Sequence, residues 1–500
     1  MSASPGGVDP RPSARPVSDS PGAQLPDSPP LYVDLDGALT YTDLLFESFL
    51  ALVKRNPAYV FACLIWLLHG RGRLKAEIAR RVNIDMALLP YNEELLAYLR
   101  QQRAAGRRLV LASASDKTLV QQVANHLGLF DASIGSDASL NLKAGAKLRA
   151  IEQDAAGRAF AYAGDSSADV AIWARADQVI VVNASSSLAQ KMALRNPSLV
   201  IPARKVEFRL VAKALRLHQW AKNALLFIPL LAAHNLSPDK WRTTLLGFIA
   251  FGLCASATYV INDLLDLASD REHPRKRERP FAAAKLSIPF GLGLVALLFP
   301  LSMWLAAQTS LPFLALMLLY TVTTLAYSMR LKRVALVDVL VLALLYTHRV
   351  VAGGVASGVT VSNWLLAESL FMFLSLALVK RCVELEFMND SGRESLAGRG
   401  YRNSDLPYLI SMGISSGFVA MMVLALYIDS QAGAAAYPRA SMLWLILPLM
   451  LFWLMRLWLK ISRMEIHDDP LLFAIKDPVS WVVAAATACI ALAASLRVGS

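Results

Sequence analysis

Two carboxylates near the start of the 500-residue chain, Asp34 and Asp36, have the types and the spacing for phosphoryl-transfer chemistry. They follow the apolar residues LYV, which predict a short buried strand, and Gly37 comes directly after them. At the carboxyl end of a parallel strand, one carboxylate can attack phosphorus while the other protonates the leaving oxygen. An isolated Asp-x-Asp pair is common, so this prediction depends on further residues downstream.

A second group of oxygen ligands, Asn262, Asp266 and Asp270, recurs every four residues. This spacing places the three side chains on one face of a helix. Such side chains repel one another unless a cation lies among them, and Mg²⁺ bridged to a diphosphate fits because it prefers a few carboxylates together with phosphate oxygens. A solvated charged loop would not account for the four-residue spacing. Cations suited to a phosphate-rich ligand follow directly, namely His273, Lys276, Arg277 and Arg279.

A third group of polar residues lies within or beside apolar sequence. Exposure of Asp338 or Arg349 to lipid would be costly, so both are predicted to face a cavity, with a structural ion pair as the alternative. The group also contains Tyr327, Lys332 and Tyr346, and Lys222 precedes the first long apolar block.

The composition predicts the class of protein that must position these residues. Hydrophobic residues make up 55% of the chain, which predicts a membrane protein with a soluble part. Intrinsic disorder, collagen and secreted disulfide-bonded scaffolds are excluded, and the four cysteines show no metal-ligand spacing. The net charge of +12 is expected on cytoplasmic loops, so no nucleic-acid partner is expected.

The order of apolar and polar segments divides the chain into four predicted parts. Residues 1–29 are rich in Pro, Ser, Gly and Asp and are predicted to be a disordered tail. Short apolar runs alternate with helical stretches over 30–201, which predicts an α/β domain with a parallel sheet and a helical cap at about 40–100. A connector at 202–221 leads to an all-α membrane domain at 222–500. About nine membrane helices are expected there, near 223–236, 243–262, 287–306, 311–327, 335–355, 363–379, 407–428, 440–459 and 479–497.

Basic residues indicate the orientation of these helices. They concentrate in the loops after the second, fourth and sixth predicted helices, whereas the alternate loops contain few. By the positive-inside rule the basic loops face the cytoplasm, together with the domain that precedes them. No apolar signal core lies near the start. We therefore expect a multi-pass protein of the inner (cytoplasmic) membrane with both candidate sites on the cytoplasmic side.

The apolar run AYVFACLIWLLHG lies in the predicted cap, and basic residues follow it. It is too short to cross a bilayer. Two interpretations stay open: the run lies in the membrane interface and contacts acidic headgroups, or it is a buried helix of the cap.

Four segments in order resemble the motifs of the haloacid-dehalogenase-like phosphatase superfamily: LYVDLDG, LVLAS, NLKAGAK and GDSSAD. The resemblance extends over most of residues 31–200 and implies a Rossmann-like α/β fold. Ala38 stands where that family usually has Thr, which leaves both carboxylates intact. A domain that has lost its activity and is kept for folding is the alternative.

The same resemblance implies roles for individual residues of this domain. Asp34 would be the nucleophile, Asp36 the general acid/base, and Ser113 would hold the transferring phosphoryl group. Lys143, with Lys147 as its rival, would neutralise the phosphate. The implied Mg²⁺ site consists of Asp34, Asp36 and Asp165, with Asp169 in a secondary role.

The segment NDLLDLASD followed by HPRKRERP resembles the UbiA prenyltransferase superfamily over about residues 210–497. RLHQWAKN, AYSMRLK, DVLVLALLYTHRVVAGGVAS and KRCVEL are similar to the branch formed by the decaprenyl-phosphate phosphoribosyltransferases. The resemblance implies Mg²⁺ at Asn262, Asp266 and Asp270. One departure from the aromatic prenyltransferases is that the second acidic cluster contains only Asp338.

This branch implies transfer of 5-phosphoribose from phosphoribosyl pyrophosphate to a polyprenyl phosphate, after which the soluble domain would remove the 5-phosphate. An aromatic prenyltransferase that uses a prenyl diphosphate is the enzymatic alternative, and a membrane scaffold or transporter is the non-catalytic one. Homo-oligomerisation stays open. The implied substrate-binding residues are Lys222, Lys276, Arg279, Tyr327, Lys332, Asp338 and Arg349.

Overall fold

The computed structural model describes residues 28–137, 140–142, 144–204, 206–390, 399–466 and 470–496. Residues 1–27 of the predicted tail and Lys143 lie outside the described residues. The chain divides into two compact units. Unit 1 consists of Met1–Leu45 with Cys63–Arg204, and unit 2 of Phe46–Ala62 with Lys205–Ser500. The segment Phe46–Ala62, which the sequence analysis includes in a cap, thus belongs to unit 2.

Unit 1 contains the predicted parallel sheet. Its strands run in the order β3-β2-β1-β4-β5-β6, and all five neighbouring pairs are parallel. Strand β1 lies inside the sheet with apolar side chains on both faces, so that its three residues have no exposed surface. The strands are β1 (Leu31–Val33), β2 (Leu109–Asp116), β3 (Ala132–Ser136), β4 (Ala161–Gly164), β5 (Gln178–Ala184) and β6 (Leu199–Pro202).

Eight helices accompany these strands in the chain. The first two cross the boundaries between the two units, and the other six lie in unit 1. They are α1 (Leu44–Arg55), α2 (Tyr59–Leu68), α3 (Arg71–Ala79), α4 (Glu93–Ala104), α5 (Lys117–Leu127), α6 (Gly145–Ala155), α7 (Val170–Trp173) and α8 (Ser186–Ala193). The apolar run of the sequence analysis forms α2, and its Phe61, Leu64, Ile65 and Leu68 are exposed. This exposure does not fit a buried cap helix and favours the interfacial interpretation.

Unit 2 is helical, and seven of its described helical segments are long and apolar enough to cross a membrane. They are Pro238–Leu265, Ile288–Thr309, Leu311–Met329, Val337–Ser357, Asn403–Asp429, Ala440–Ser462 and Pro478–Ser495. The helices are α9 (Phe208–Ala214), α10 (Ile228–Ala232), α11 (Pro238–Leu265), α12 (Leu267–Glu272), α13 (Ile288–Thr309), α14 (Leu311–Met329), α15 (Val337–Ser357), α16 (Asn363–Asp390), α17 (Leu406–Asp429), α18 (Gln431–Ala436), α19 (Ile446–Ser462), α20 (Pro470–Lys476) and α21 (Pro478–Ser495). The chain is thus a multi-pass membrane protein.

Two of the nine predicted membrane helices differ in the structure. The sixth is part of the longer helix α16, which continues past the apolar block to Asp390. The first is not a single α-helix, because Leu217–Phe227 has 3₁₀ geometry and α10 has only five residues. His234 then takes a φ of 50°, which ends the helical path.

Candidate active sites

The carboxyl ends of two central strands bring three carboxylates of unit 1 together. Asp34 follows β1, and Asp165 and Asp169 follow β4. Oxygens of these three side chains lie within 4.8 Å of one another. Lys147 of α6 is buried beside them, with its Nζ 2.8 Å from Asp34 Oδ1 and 3.7 Å from Asp169 Oδ1. Because one ammonium group does not balance three carboxylates, the cluster fits a divalent cation such as Mg²⁺.

Burial changes the acidity of this cluster. It raises the pKa of Asp34 to about 7, although the Lys147 ammonium lowers it. Burial also raises the pKa of Asp165 to about 8, and the charges of Asp34 and Asp169 add to that rise. The charged forms are therefore costly until a cation compensates them.

Gly37 allows the turn after Asp36 to approach Asp165. Its φ is +90°, and a Cβ at this position would lie 2.1 Å from Asp165 Oδ2. Any larger residue would push Asp165 away from the other carboxylates. Within the described part of the chain, the Asp165 carboxylate has no hydrogen-bond or ion-pair partner, so its oxygens are available to a ligand.

Asp36 lies outside the three-carboxylate cluster, although the sequence analysis includes it in the metal site. Its Oδ2 accepts hydrogen bonds from Ser113 Oγ at 2.9 Å and from Ser115 Oγ at 2.6 Å. Its Oδ1 accepts one from the Leu44 N–H at 2.8 Å. Ser115 is not among the predicted site residues. It lies two residues after Ser113 on β2, and side chains at this spacing point to the same face of a strand, which is a signal that could have identified it. Of the two rival lysines, Lys147 contacts Asp34, and Lys143 is outside the described residues.

The four-residue spacing of the second group is preserved in unit 2. Helix α11 ends at Leu265, and α12 begins at Leu267. The Asp266 N–H donates to the Asn262 carbonyl at 2.9 Å, and the Asp270 N–H donates to the Asp266 carbonyl at 2.8 Å. The helical hydrogen-bond pattern therefore continues past the helix end. Asn262 Oδ1 is buried without a hydrogen-bond partner in the described chain, which fits a metal ligand.

Cations surround these oxygen ligands. Arg279 Nη1 lies 2.7 Å from Asp270 Oδ2 and 3.1 Å from Asp263 Oδ1. Asp263, which the sequence analysis did not select, is buried and also pairs with Arg216 at 2.5 Å. Its place inside the NDxxD segment is the signal that could have identified it.

Asp266 is paired differently from its neighbours. Its two oxygens contact Lys54 Nζ at 2.9 Å and Lys332 Nζ at 3.2 Å. Burial raises the pKa of Asp266, but the two ammonium groups outweigh it and hold the pKa below its usual range. The carboxylate is therefore charged and ready to bind a metal.

The predicted residue Asp338 has arginine partners, and Arg349 is not one of them. Asp338 is fully buried and accepts hydrogen bonds from Arg381 and, at 2.7 Å, from Tyr327 Oη. Arg399 lies 3.3 Å from it, and Arg381 also pairs with Glu384. The alternative of a structural ion pair is therefore found for Asp338, but its partner is Arg381 and not Arg349.

Arg349 has a polar and aromatic environment. Its Nε donates to Asn223 Oδ1 at 3.1 Å, and its guanidinium carbon lies 5.5 Å from the ring centre of Tyr346. Lys222 Nζ lies 5.7 Å from the same ring. In the described chain, Arg349 has no carboxylate within ion-pair distance, so its charge is available to an anionic ligand.

Two groups of charged residues act on Lys276. One contains the predicted metal ligand Asp270, and the other is the Asp338 cluster, which consists of Tyr327, Asp338, Arg381, Glu384 and Arg399. Burial and the neighbouring Arg279 lower the pKa of its ammonium group, while Asp270 and Glu384 raise it. The charges of the predicted metal ligands and of the Asp338 cluster thus both act on this ammonium group.

Removal of the Arg381 guanidinium is expected to destabilise unit 2. In the variant Arg381→Met, the only arginine that still contacts the buried Asp338 carboxylate in the described chain is the partly exposed Arg399. Removing one partner of a buried ion pair costs about 3–5 kcal/mol of stability. Thermal unfolding in detergent should show a midpoint several degrees lower than for the wild type. Lys380→Met removes the same charge from the adjacent position of α16 and is the matched control. Equal midpoints for the two variants would contradict this prediction.

Comparisons with known proteins match two parts of the chain to different families. A model of the UbiA prenyltransferase family matches residues 224–476, and a model of haloacid dehalogenase-like hydrolases matches residues 31–173. The chain is 37% identical over 469 residues to the uncharacterized protein y4nM of Sinorhizobium fredii, which covers 91% of this chain and 89% of that protein.

Two further relatives are similar to about half of this chain. The nodulation protein NoeC of Azorhizobium caulinodans is 32% identical over 56% of this chain and 91% of its own length. A decaprenyl-phosphate phosphoribosyltransferase of Mycobacterium tuberculosis is 33% identical over 45% of this chain and 76% of its own length. Since the UbiA model covers half of the chain, the chain belongs to the UbiA prenyltransferase family, with a haloacid-dehalogenase-like domain before its membrane helices.

Proposed function

We propose that unit 2 transfers 5-phosphoribose from phosphoribosyl pyrophosphate to a polyprenyl phosphate. The observation that supports this most is the set of cations around Asn262, Asp266 and Asp270, because phosphoribosyl pyrophosphate and the lipid phosphate together bring more phosphate groups than a prenyl diphosphate does. Similarity to the decaprenyl-phosphate phosphoribosyltransferases supports the same substrates.

In this proposal Asn262, Asp266 and Asp270 would hold Mg²⁺, whose charge stabilises the departing diphosphate. Lys276, Arg279 and Lys332 bind phosphate oxygens of the donor. Three further side chains orient the substrates. Two of them, Arg349 and Lys222, lie near the ring of Tyr346, and the third is Tyr327 of the Asp338 cluster. The lipid phosphate oxygen that attacks ribose C1 is already anionic, so no strong base is required. Positioning and charge stabilisation then supply most of the catalysis.

Unit 1 is proposed to remove the 5-phosphate of the lipid product. Asp34 would attack phosphorus, and Asp36, held by two serine hydroxyls, would protonate the leaving oxygen. Ser113 and Lys147 would bind the transferring phosphoryl group, with Lys143 as the alternative lysine. Asp34 and Asp165 would hold Mg²⁺, and Asp169 positions the loop through hydrogen bonds from Ser166.

The pairing of Asp338 weakens the case for an aromatic prenyltransferase. A second Mg²⁺ at a prenyl diphosphate would need carboxylates that are free to bind it. Asp338 is instead fully buried and neutralised by Arg381 and Arg399. A scaffold or transporter would not require the oxygen ligands of α11 and α12. We propose that the protein lies in the inner membrane with both sites on the cytoplasmic side, because basic residues concentrate in the loops after the second, fourth and sixth predicted membrane helices.

The donor can be identified by thermal protection and by product analysis. In the presence of Mg²⁺, phosphoribosyl pyrophosphate at about a hundred times its Kd should stabilise unit 2 by about 2.7 kcal/mol, because a ligand that binds only the folded state stabilises it. Label from phosphoribosyl pyrophosphate should also enter the lipid phase when polyprenyl phosphate is added. Geranyl diphosphate is the control ligand. If geranyl diphosphate stabilises unit 2 while phosphoribosyl pyrophosphate neither stabilises it nor transfers label to the lipid, the proposal is wrong and the donor is a prenyl diphosphate.

A further inference from the structure

The segment Phe46–Ala62 belongs to unit 2 although it lies inside the region matched by the hydrolase model. At both ends it continues into unit 1, which includes Leu45 on one side and Cys63 on the other. The UbiA family model, by contrast, matches this chain over residues 224–476. Any contribution of this segment to the membrane site is therefore additional to the residues that the family model covers.

Apolar packing and one buried ion pair hold the segment in place. Phe46, Phe49 and Leu50 of α1 pack in a cluster that includes residues of α9, α11 and α13. Glu47 Oε1 lies 2.6 Å from Arg271 Nη2, and both side chains are less than a tenth exposed. These contacts attach α1 to the rest of unit 2. The helix makes a second ion pair in its last turn.

That second ion pair joins Lys54 to Asp266, the middle member of the predicted metal ligands. It is more open than the Glu47 pair, since the side chain of Lys54 is 35% exposed and that of Asp266 23%. Lys54 binds Asp266 Oδ1, while Lys332 binds Oδ2 of the same carboxylate. Two ammonium groups thus approach one carboxylate from its two oxygens.

We propose that Lys54 is a phosphate-binding residue of the membrane site, supplied by the segment that interrupts the hydrolase domain. The inference rests on the proposed function in so far as Asp266 binds a metal diphosphate. With Asp266 holding Mg²⁺, the flexible side chain of Lys54 would bind a diphosphate oxygen instead of this carboxylate. A charged hydrogen bond to phosphate then replaces the one to Asp266.

The test uses magnesium pyrophosphate as the probe, so that it does not depend on the identity of the donor. Calorimetric titration of the full chain in detergent measures its affinity, in an Asp34→Asn background that removes the proposed nucleophile of unit 1 and one of its three clustered carboxylates. Lys54→Met should weaken binding roughly ten- to a hundredfold, the range of one charged hydrogen bond. Arg55→Met, which removes the same charge from the next residue of α1, should bind like the background protein. Lys54→Arg should restore most of the affinity.

Two further measurements separate phosphate binding by Lys54 from a merely structural role. The thermal midpoint without ligand should be the same for Lys54→Met and Arg55→Met, and in the transfer assay Lys54→Met should raise the donor KM more than it lowers kcat. Unchanged or tighter probe binding by Lys54→Met would overturn the inference, because the lysine would then merely occupy the place of the metal. If phosphoribosyl pyrophosphate is not a substrate, while probe binding still depends on Lys54, the proposed donor fails and the inference stands.

Discussion

The variant Asp270→Asn is expected to lower transfer to the lipid by roughly a hundred- to a thousandfold, which is the scale of losing a group that stabilises charge in the transition state. Asp270 is buried, follows Asp266 by one helical turn and holds Arg279 at 2.7 Å. The amide removes a negative charge from the proposed metal site and weakens the position of that arginine. Extraction of labelled lipid product measures the loss.

Glu272→Gln is the matched control, because it removes an exposed carboxylate from the same short helix α12. It should retain transfer. Hydrolysis of a soluble phosphate monoester by unit 1 should be unchanged in both variants, and their thermal midpoints should equal that of the wild type, which shows that unit 2 is folded as well. Near-normal transfer by Asp270→Asn would refute the assignment of the diphosphate site.

The second large effect is expected from Asp34→Asn. This change removes the proposed nucleophile and one of three clustered carboxylates, so hydrolysis of phosphate monoesters should fall by roughly a thousandfold or more. The membrane site should still form lipid-linked 5-phosphoribose. Wild-type protein should release inorganic phosphate as well as pyrophosphate, whereas the variant should release pyrophosphate alone.

Glu94→Gln serves as the control for this experiment, since it removes an exposed carboxylate in the first turn of α4. Its products should match those of the wild type. If wild type and Asp34→Asn yield the same lipid product with no additional phosphate from wild type, unit 1 acts on another substrate and the two-step proposal is wrong.

Local spacing predicted the parts of both sites that depend on one strand end or one helical turn. Asp34 and Asp36 follow β1 as expected, and Asn262, Asp266 and Asp270 keep their four-residue hydrogen-bond pattern even though a helix ends between them. The parallel sheet was equally predictable, because its strands are short apolar runs separated by helices.

Partners that are distant in the chain could not be predicted in this way. Asp338 pairs with Arg381, 43 residues later, while the nearer Arg349 contacts Asn223 instead. Nothing in the spacing distinguishes these two arginines, because both lie in apolar helices. The choice depends on which helices pack together, and packing is a property of the assembled unit.

The position of Phe46–Ala62 also has a consequence for the order of assembly. The ribosome makes this segment before any of the seven apolar helices of unit 2, and Asp266 follows Lys54 by 212 residues. Until α11 and α12 are in the membrane, Phe46, Phe49 and Leu50 lack the surface on which they pack. A nascent chain therefore exposes these apolar side chains during synthesis, and the loop between Lys54 and Asp266 closes only after α12 has been made.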